Sequence, residues 1–136
     1  MLERLDHVGI AVDDLDAALA LWRDFFGLAV THDETVPEQG TRVVFLEGGN
    51  TEVELLGALG PETPVGKFLV RRGPGIHHLC FAVDNLESAI AECQARGLEM
   101  IDTVPRIGAQ GKRLAFVHPK SAHGVLIELY QAGSGE

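Results

Sequence analysis

An apolar run from Leu5 to Val12 gives way, past a pair of aspartates, to a stretch where Ala17, Leu21, Phe25 and Leu28 recur at helical spacing. The first pattern predicts a buried strand. The second predicts a helix that begins after an Asp able to accept from a free first-turn N–H, and that stops near Gly27, a residue suited to a left-handed cap. The same order returns 71 residues later, with HVGIAVDDLDAALAL from His7 lying over HLCFAVDNLESAIAE from His78. Seven of those fifteen positions are identical, and Gly97 closes the second copy as Gly27 closes the first. In the second copy the strand runs from Ile76 to Val83, and Ile90, Cys93 and Leu98 carry the helical spacing.

Further strand-like runs follow each helix: Leu28 to Thr31, Arg42 to Glu47 and Thr51 to Leu56 in the first half, with Gly48, Gly49 and Asn50 turning tightly between the last two. In the second half they are Glu99 to Val104, Arg113 to His118 and Val125 to Tyr130. Pro61 to Pro74 joins the halves and predicts a short helix over Val65 to Arg71. The fold class expected is therefore α+β: two tandem βαβββ modules, about 3–60 and 75–131, joined by a linker at about 61–74 within one domain covering 1–136. One helix leaves one face of a four-stranded sheet uncovered. The modules are therefore expected to pack side by side, forming a curved mixed sheet around a shared cleft where function would sit.

Composition adds that 136 residues at 46% hydrophobic and 23% charged suffice for a real core and argue against a disordered chain. A formal net charge of −9 disfavours nonspecific nucleic acid binding, which relies on clustered Lys and Arg against phosphates. That charge is uneven. Residues 1–66 hold 3 basic against 13 acidic residues, whereas residues 67–136 hold 8 against 7, so an anion-binding surface is expected from the second half. With two cysteines, no signal-like opening and no stretch near the roughly 20 apolar residues of a membrane helix, a cytoplasmic setting with free, buried thiols is expected, and no membrane partner.

His7 and His78 occupy matching places in the first strand of each module, and Glu54 and Glu128 match in the last, each preceded by an apolar residue, Val53 or Ile127. A lone strand His is more often a hydrogen-bonded core residue, and a lone strand Glu usually faces water. Their appearance as two symmetric pairs changes the reading, because an apolar strand rarely tolerates an inward charge unless it is paired or ligating. Two imidazoles and two carboxylates make a nitrogen and oxygen donor set for one divalent ion such as Co, Mn, Ni, Zn or Mg, with no thiolate to favour a soft metal. His77 points to the opposite face from His78, where a structural role is expected; Glu52 shares a face with Glu54, at a cleft mouth or in water.

The duplicated modules with a His, Glu, His, Glu set resemble the vicinal oxygen chelate superfamily over residues 3–131, and within it several stretches resemble the methylmalonyl-CoA epimerases. These are LDHVGIAV at 5–12, VPEQG at 36–40, NTEVELL at 50–56, GIHHLCFAVD at 75–84 and IGAQGKRLAFVHPKSAHGVLIEL at 107–129. The last is the most specific, through His118-Pro119-Lys120 followed by Gly124 to Glu128. The resemblance implies interconversion of (2R)- and (2S)-methylmalonyl-CoA at C2, by proton removal to an enolate that a divalent ion stabilises and return of a proton on the other face. It makes His7, Glu54, His78 and Glu128 the metal ligands and Glu128 also one base. Some family members carry a glutamate three residues after the glycine of the PEQG motif, where this chain has Val43; the second base is then open among Glu38, Glu52 and a metal-bound water, with Val43 packing in the core. Lys120 is the leading candidate to meet CoA phosphates or the substrate carboxylate, with Lys112, Arg113, Arg71, Arg72 and Arg106 as others, and Gly108 to Gly111 forms a loop beside the cleft. A homodimer is also implied. Rival readings are a lactoylglutathione lyase, an extradiol-type oxygenase and a metal-free binding protein on the same fold. The His118-Pro119-Lys120 segment argues against the first. A fourth donor argues against the second, whose iron sites take two histidines and one carboxylate.

Overall fold

The computed structural model describes residues 1–133 and divides into two compact units, His7–His77 and Met1–Asp6 with the chain from His78 onward. Strand β1 (Leu2–Val12) begins in the second of these units and continues into the first.

In the unit of His7–His77, β1 is followed by α1 (Leu15–Leu19), β2 (Val30–Val36), β3 (Thr41–Glu47), β4 (Glu52–Ala58) and α2 (Pro64–Arg72). The strand order is β2-β3-β4-β1, antiparallel except for the parallel β4–β1 pair. Asp14 caps α1 by accepting from the Ala17 N–H at 3.1 Å. Alternation sorts the strand residues between two faces. Ile10, Val12, Val44, Leu46, Val53 and Leu55 turn toward α1 and form one core with Leu15, Ala18, Leu19, Trp22 and Leu28. The alternate positions His7, Phe45 and Glu54 belong to the other face. α1 does not continue as a regular helix: Ala20–Phe25 winds as a π-helix, with the Phe26 N–H donating to the Leu21 carbonyl five residues back. The wider turn displaces the expected apolar stripe, so Trp22 packs inward while Leu21 is exposed and Phe25 is 79% exposed.

The second unit carries β5 (Gly75–Val83), α3 (Leu86–Ala95), β6 (Arg106–Ile107), β7 (Arg113–Val117) and β8 (Ile127–Gln131), ordered β5-β8-β7-β6 with a parallel β5–β8 pair. Here Asn85 takes the capping role, accepting from the Ser88 N–H at 3.0 Å. Both helices are followed by glycines in the left-handed region, Gly27 at φ 83° and Gly97 at φ 93°. The core repeats the pattern of the other unit, with Val83, Ala115, Val117 and Leu129 against Leu86, Ala89, Ile90 and Cys93 of α3. The α+β class is as expected, with two corrections. The strand expected over Leu28 to Thr31 starts at Val30 and runs on to Val36. The run Glu99–Val104 forms no strand and pairs only through a Met100–Val117 bridge. Pro105 has no N–H to donate to a ladder, and Asp102 replaces a ladder partner by accepting from the Phe116 N–H at 2.9 Å. Among the described residues no helix is long and apolar enough to cross a membrane.

Helix α2, expected over Val65 to Arg71, starts at Pro64 with Thr63 as its cap: the Thr63 hydroxyl accepts from the Gly66 N–H at 3.1 Å and donates to the Gly60 carbonyl at 2.7 Å. A Cβ on Gly66 would lie 2.1 Å from the Gly60 oxygen and 2.8 Å from the Pro61 Cα, both backbone atoms that cannot swing aside. Gly66→Ala is therefore expected to lower the urea midpoint with the slope unchanged, corresponding to about 2 kcal/mol, as for other overpacked sites.

Candidate functional site

His7 and Glu54 reach the face of their unit opposite α1 through the parallel β1–β4 pairing, in which Glu54 lies beside Gly9, two residues beyond His7. His7 Nε2 stands 3.1 Å from Glu54 Oε1, and both residues are buried. In the other unit β5 and β8 repeat the construction: Glu128 lies beside Cys80, two residues beyond His78, and His78 Nε2 stands 3.1 Å from Glu128 Oε1. His78 and Glu128 are equally withdrawn from water.

Each pair suits two neighbouring positions around a divalent ion. Donors at right angles on an ion with bonds of about 2.1 Å stand about 3.0 Å apart, close to the 3.1 Å seen in both pairs. The donor chemistry is nitrogen and oxygen. Cys80 is buried among Ala82, Leu114 and Tyr130, and Cys93 lies in the α3 core with its thiol pushed up by burial and by Glu92. Both are free thiols.

Two aromatic residues that motif reading passed over belong to the same groups. Phe45 meets His7 edge to face at 5.2 Å between ring centroids, and Phe116 meets His78 in the same manner at 6.0 Å. Extending the 71-residue offset beyond the first strand and helix would have found them, since it maps Phe45 onto Phe116. Val43 is buried on β3, two residues from Phe45, so an apolar side chain occupies that position. Glu38 is exposed in a short 3-10 turn, and Glu52 accepts from the Thr31 hydroxyl at 3.2 Å. His77 packs against Phe68 of α2 with ring centroids 4.8 Å apart.

The basic candidates of the second half are spread among local partners. Lys120 holds Glu99 at 2.8 Å, Arg113 holds Glu87, and the Lys112 ammonium lies 4.7 Å from the centre of the Tyr130 ring. Arg106 is tied to Asp102 at 2.9 Å and stands over Phe116. Arg72 stands over Phe68, while Arg71 is exposed on α2. Gly108 to Gly111 forms a 3-10 turn with Gln110 at φ 62°.

Residues 6–116 match the Glyoxalase/Bleomycin resistance protein/Dioxygenase superfamily. The mitochondrial methylmalonyl-CoA epimerase of Homo sapiens is 42% identical over 132 residues, covering 96% of this chain and 75% of that one. The chain belongs to the methylmalonyl-CoA epimerase family. The family likeness extends to the ethylmalonyl-CoA/methylmalonyl-CoA epimerase of Cereibacter sphaeroides, 40% identical with 96% of this chain and 99% of that one covered. Among solved structures, a Streptomyces coelicolor methylmalonyl-CoA epimerase variant in complex with 2-nitronate-propionyl-CoA is 36% identical. It superposes with a TM-score of 0.91, covering 98% of this chain and 97% of that one.

The ion pair at Lys120 yields a directional test. Hydrogen bonding from Lys120 holds the Glu99 carboxyl below the usual glutamate range. A carboxylate with a depressed folded pKa contributes stability at pH above its ordinary value and loses it as pH falls through the folded value. NMR titration is expected to find Glu99 ionising at lower pH than an ordinary glutamate, and Lys120→Met is expected to move that midpoint upward.

Proposed function

We propose that this chain interconverts (2R)- and (2S)-methylmalonyl-CoA, acting as one domain of two tandem modules around a single divalent ion. The observation that carries this reading is the duplicated buried His–Glu pair, 3.1 Å apart in both units, in a chain of the methylmalonyl-CoA epimerase family. His7, Glu54, His78 and Glu128 would hold the ion, with Co, Mn, Ni, Zn or Mg as its chemical range. Such an ion acts as a Lewis acid toward negative charge on the thioester oxygen.

The C2 hydrogen is acidified by the thioester and carboxylate on either side of it. Glu128 takes that proton, the C–H electron pair moves into conjugation with the thioester carbonyl, and C2 becomes planar. Return of a proton to the opposite face inverts the centre. Glu128 is buried, so bulk water does not compete for its place beside C2. A nitronate is likewise planar at its carbon with its charge delocalised onto oxygen, so the analogue held by the Streptomyces coelicolor relative has the shape of the deprotonated substrate. Lys120, Lys112 and Arg113 would meet the CoA phosphates or the free carboxylate by exchanging their present partners, Glu99, the Tyr130 ring and Glu87. The buried free cysteines suit a cytoplasmic protein, and the exposed Phe25 and Phe26 suit burial in a homodimer.

Proton NMR of methylmalonyl-CoA in deuterium oxide tests the reaction. The metal-loaded chain is expected to exchange the C2 proton and scramble the two epimers; turnover of a glutathione hemithioacetal without C2 exchange would overturn the assignment. Glu128→Gln is expected to slow exchange at least a hundredfold, the scale of a lost general base. Prolonged chelation followed by gel filtration is expected to abolish exchange, and one equivalent of a suitable divalent ion to restore it.

A further inference from the structure

We infer that Phe45 and Phe116 are positioning residues, each fixing the plane of the imidazole in its own His–Glu pair. The inference rests on reading His7 and His78 as metal donors and deepens it. Phe45 lies on β3 directly across from Glu54, whereas His7 lies on β1, beyond β4 on the far side of that glutamate. Strands one neighbour removed are roughly 10 Å apart at the backbone, yet the two ring centroids come within 5.2 Å. Both side chains must therefore lean inward over β4 and meet above Glu54. The other unit makes the same bridge, with Phe116 across from Glu128 on β7, His78 beyond β8 on β5, and the rings 6.0 Å apart.

The ring planes are nearly perpendicular at both places, 86° and 89°. In that arrangement the positive edge of one ring meets the negative face of the other, which constrains orientation as well as distance. Rotation of the imidazole out of that plane would swing Nε2 away from the carboxylate oxygen it faces at 3.1 Å, so holding the ring plane keeps the donor nitrogen in place. Each phenyl is itself backed by a side chain from the edge strand. The Arg106 guanidinium lies 5.2 Å from the Phe116 ring centre and is tied to Asp102; His32 lies 6.3 Å from Phe45, its Nε2 2.9 Å from Glu34 Oε1. Filling space alone would not require a ring at the same interval from the histidine, 38 residues, in both units.

Phe45→Leu and Phe116→Leu keep apolar bulk and remove the ring, whereas Phe45→Tyr and Phe116→Tyr keep it. Two readouts on the full chain separate orientation from packing: the imidazole Hε1 NMR signals of His7 and His78 without metal, and cobalt(II) titration followed by visible absorption. Each Leu variant is expected to shift or broaden the signal of its own histidine, weaken cobalt binding roughly tenfold as other outer-shell changes do, and alter the cobalt bands. The Tyr variants are expected to stay near wild type. Leu variants with wild-type signals and cobalt affinity would overturn the inference, as would Tyr variants impaired as much as the Leu ones. If a Leu variant does not fold, a Met variant at that position takes its place with the same expectations. A wild-type chain that binds no cobalt, but whose histidine signals depend on the rings, would sink the metal reading and leave the positioning role standing.

Discussion

Burying a carboxylate in an apolar strand is among the costliest things a small protein can do, and this chain does it twice. Glu54 and Glu128 sit inside four-stranded sheets whose other faces are packed with valine, leucine and isoleucine. Beside each stands an imidazole two positions out of register on the parallel neighbour, at 3.1 Å in both units. Much else follows from that arrangement. The parallel β1–β4 and β5–β8 pairings set the diagonal between His and Glu, and each parallel pairing needs a crossover, which α1 and α3 supply within their units.

The helices also account for which face is left to carry chemistry. By covering one side of each sheet they take up Val44, Leu46 and Leu55 in one unit, and Ala115, Val117 and Leu129 in the other. Strict alternation then assigns His7, Phe45 and Glu54, and likewise His78, Phe116 and Glu128, to the side away from the helix. A one-residue slip in any of these strands would exchange donors for core residues, so sheet register and donor geometry are a single property of the fold.

The repeat made the order of strands and helices and the Asp14 cap readable before any coordinates, because identical residues at one offset serve identical places; at the second helix the expected Asp is replaced by Asn85. Three features escaped it. The π-helical winding of Ala20–Phe25 depends on backbone hydrogen bonds that apolar spacing does not encode, so the spacing aligns Phe25 with Ala17, Leu21 and Leu28 although it faces water. The run Glu99–Val104 has strand composition, but Pro105 and the Asp102 side chain decide otherwise. Phe45 and Phe116 look like ordinary strand aromatics; their bond to function lies in a contact across an intervening strand, which no local motif records.

The two copies share one offset at His7 and His78 and again at Phe45 and Phe116, yet the glutamates are three residues further apart, 74 instead of 71. Since Phe45 still faces Glu54 and Phe116 still faces Glu128, the added residues must be absorbed by the connection between β7 and β8. There the chain makes a 3-10 turn at Pro119–Ser121 and passes through left-handed conformations at His123 and Gly124, where the first copy has only a tight Gly48-Gly49-Asn50 bend. That hairpin tip takes up the extra length while Phe45 still faces Glu54 and Phe116 still faces Glu128. It is also where the most distinctive residues of the chain, His118-Pro119-Lys120, now stand. The difference between the two halves is thus carried by a loop, while the paired strands keep the pattern common to both.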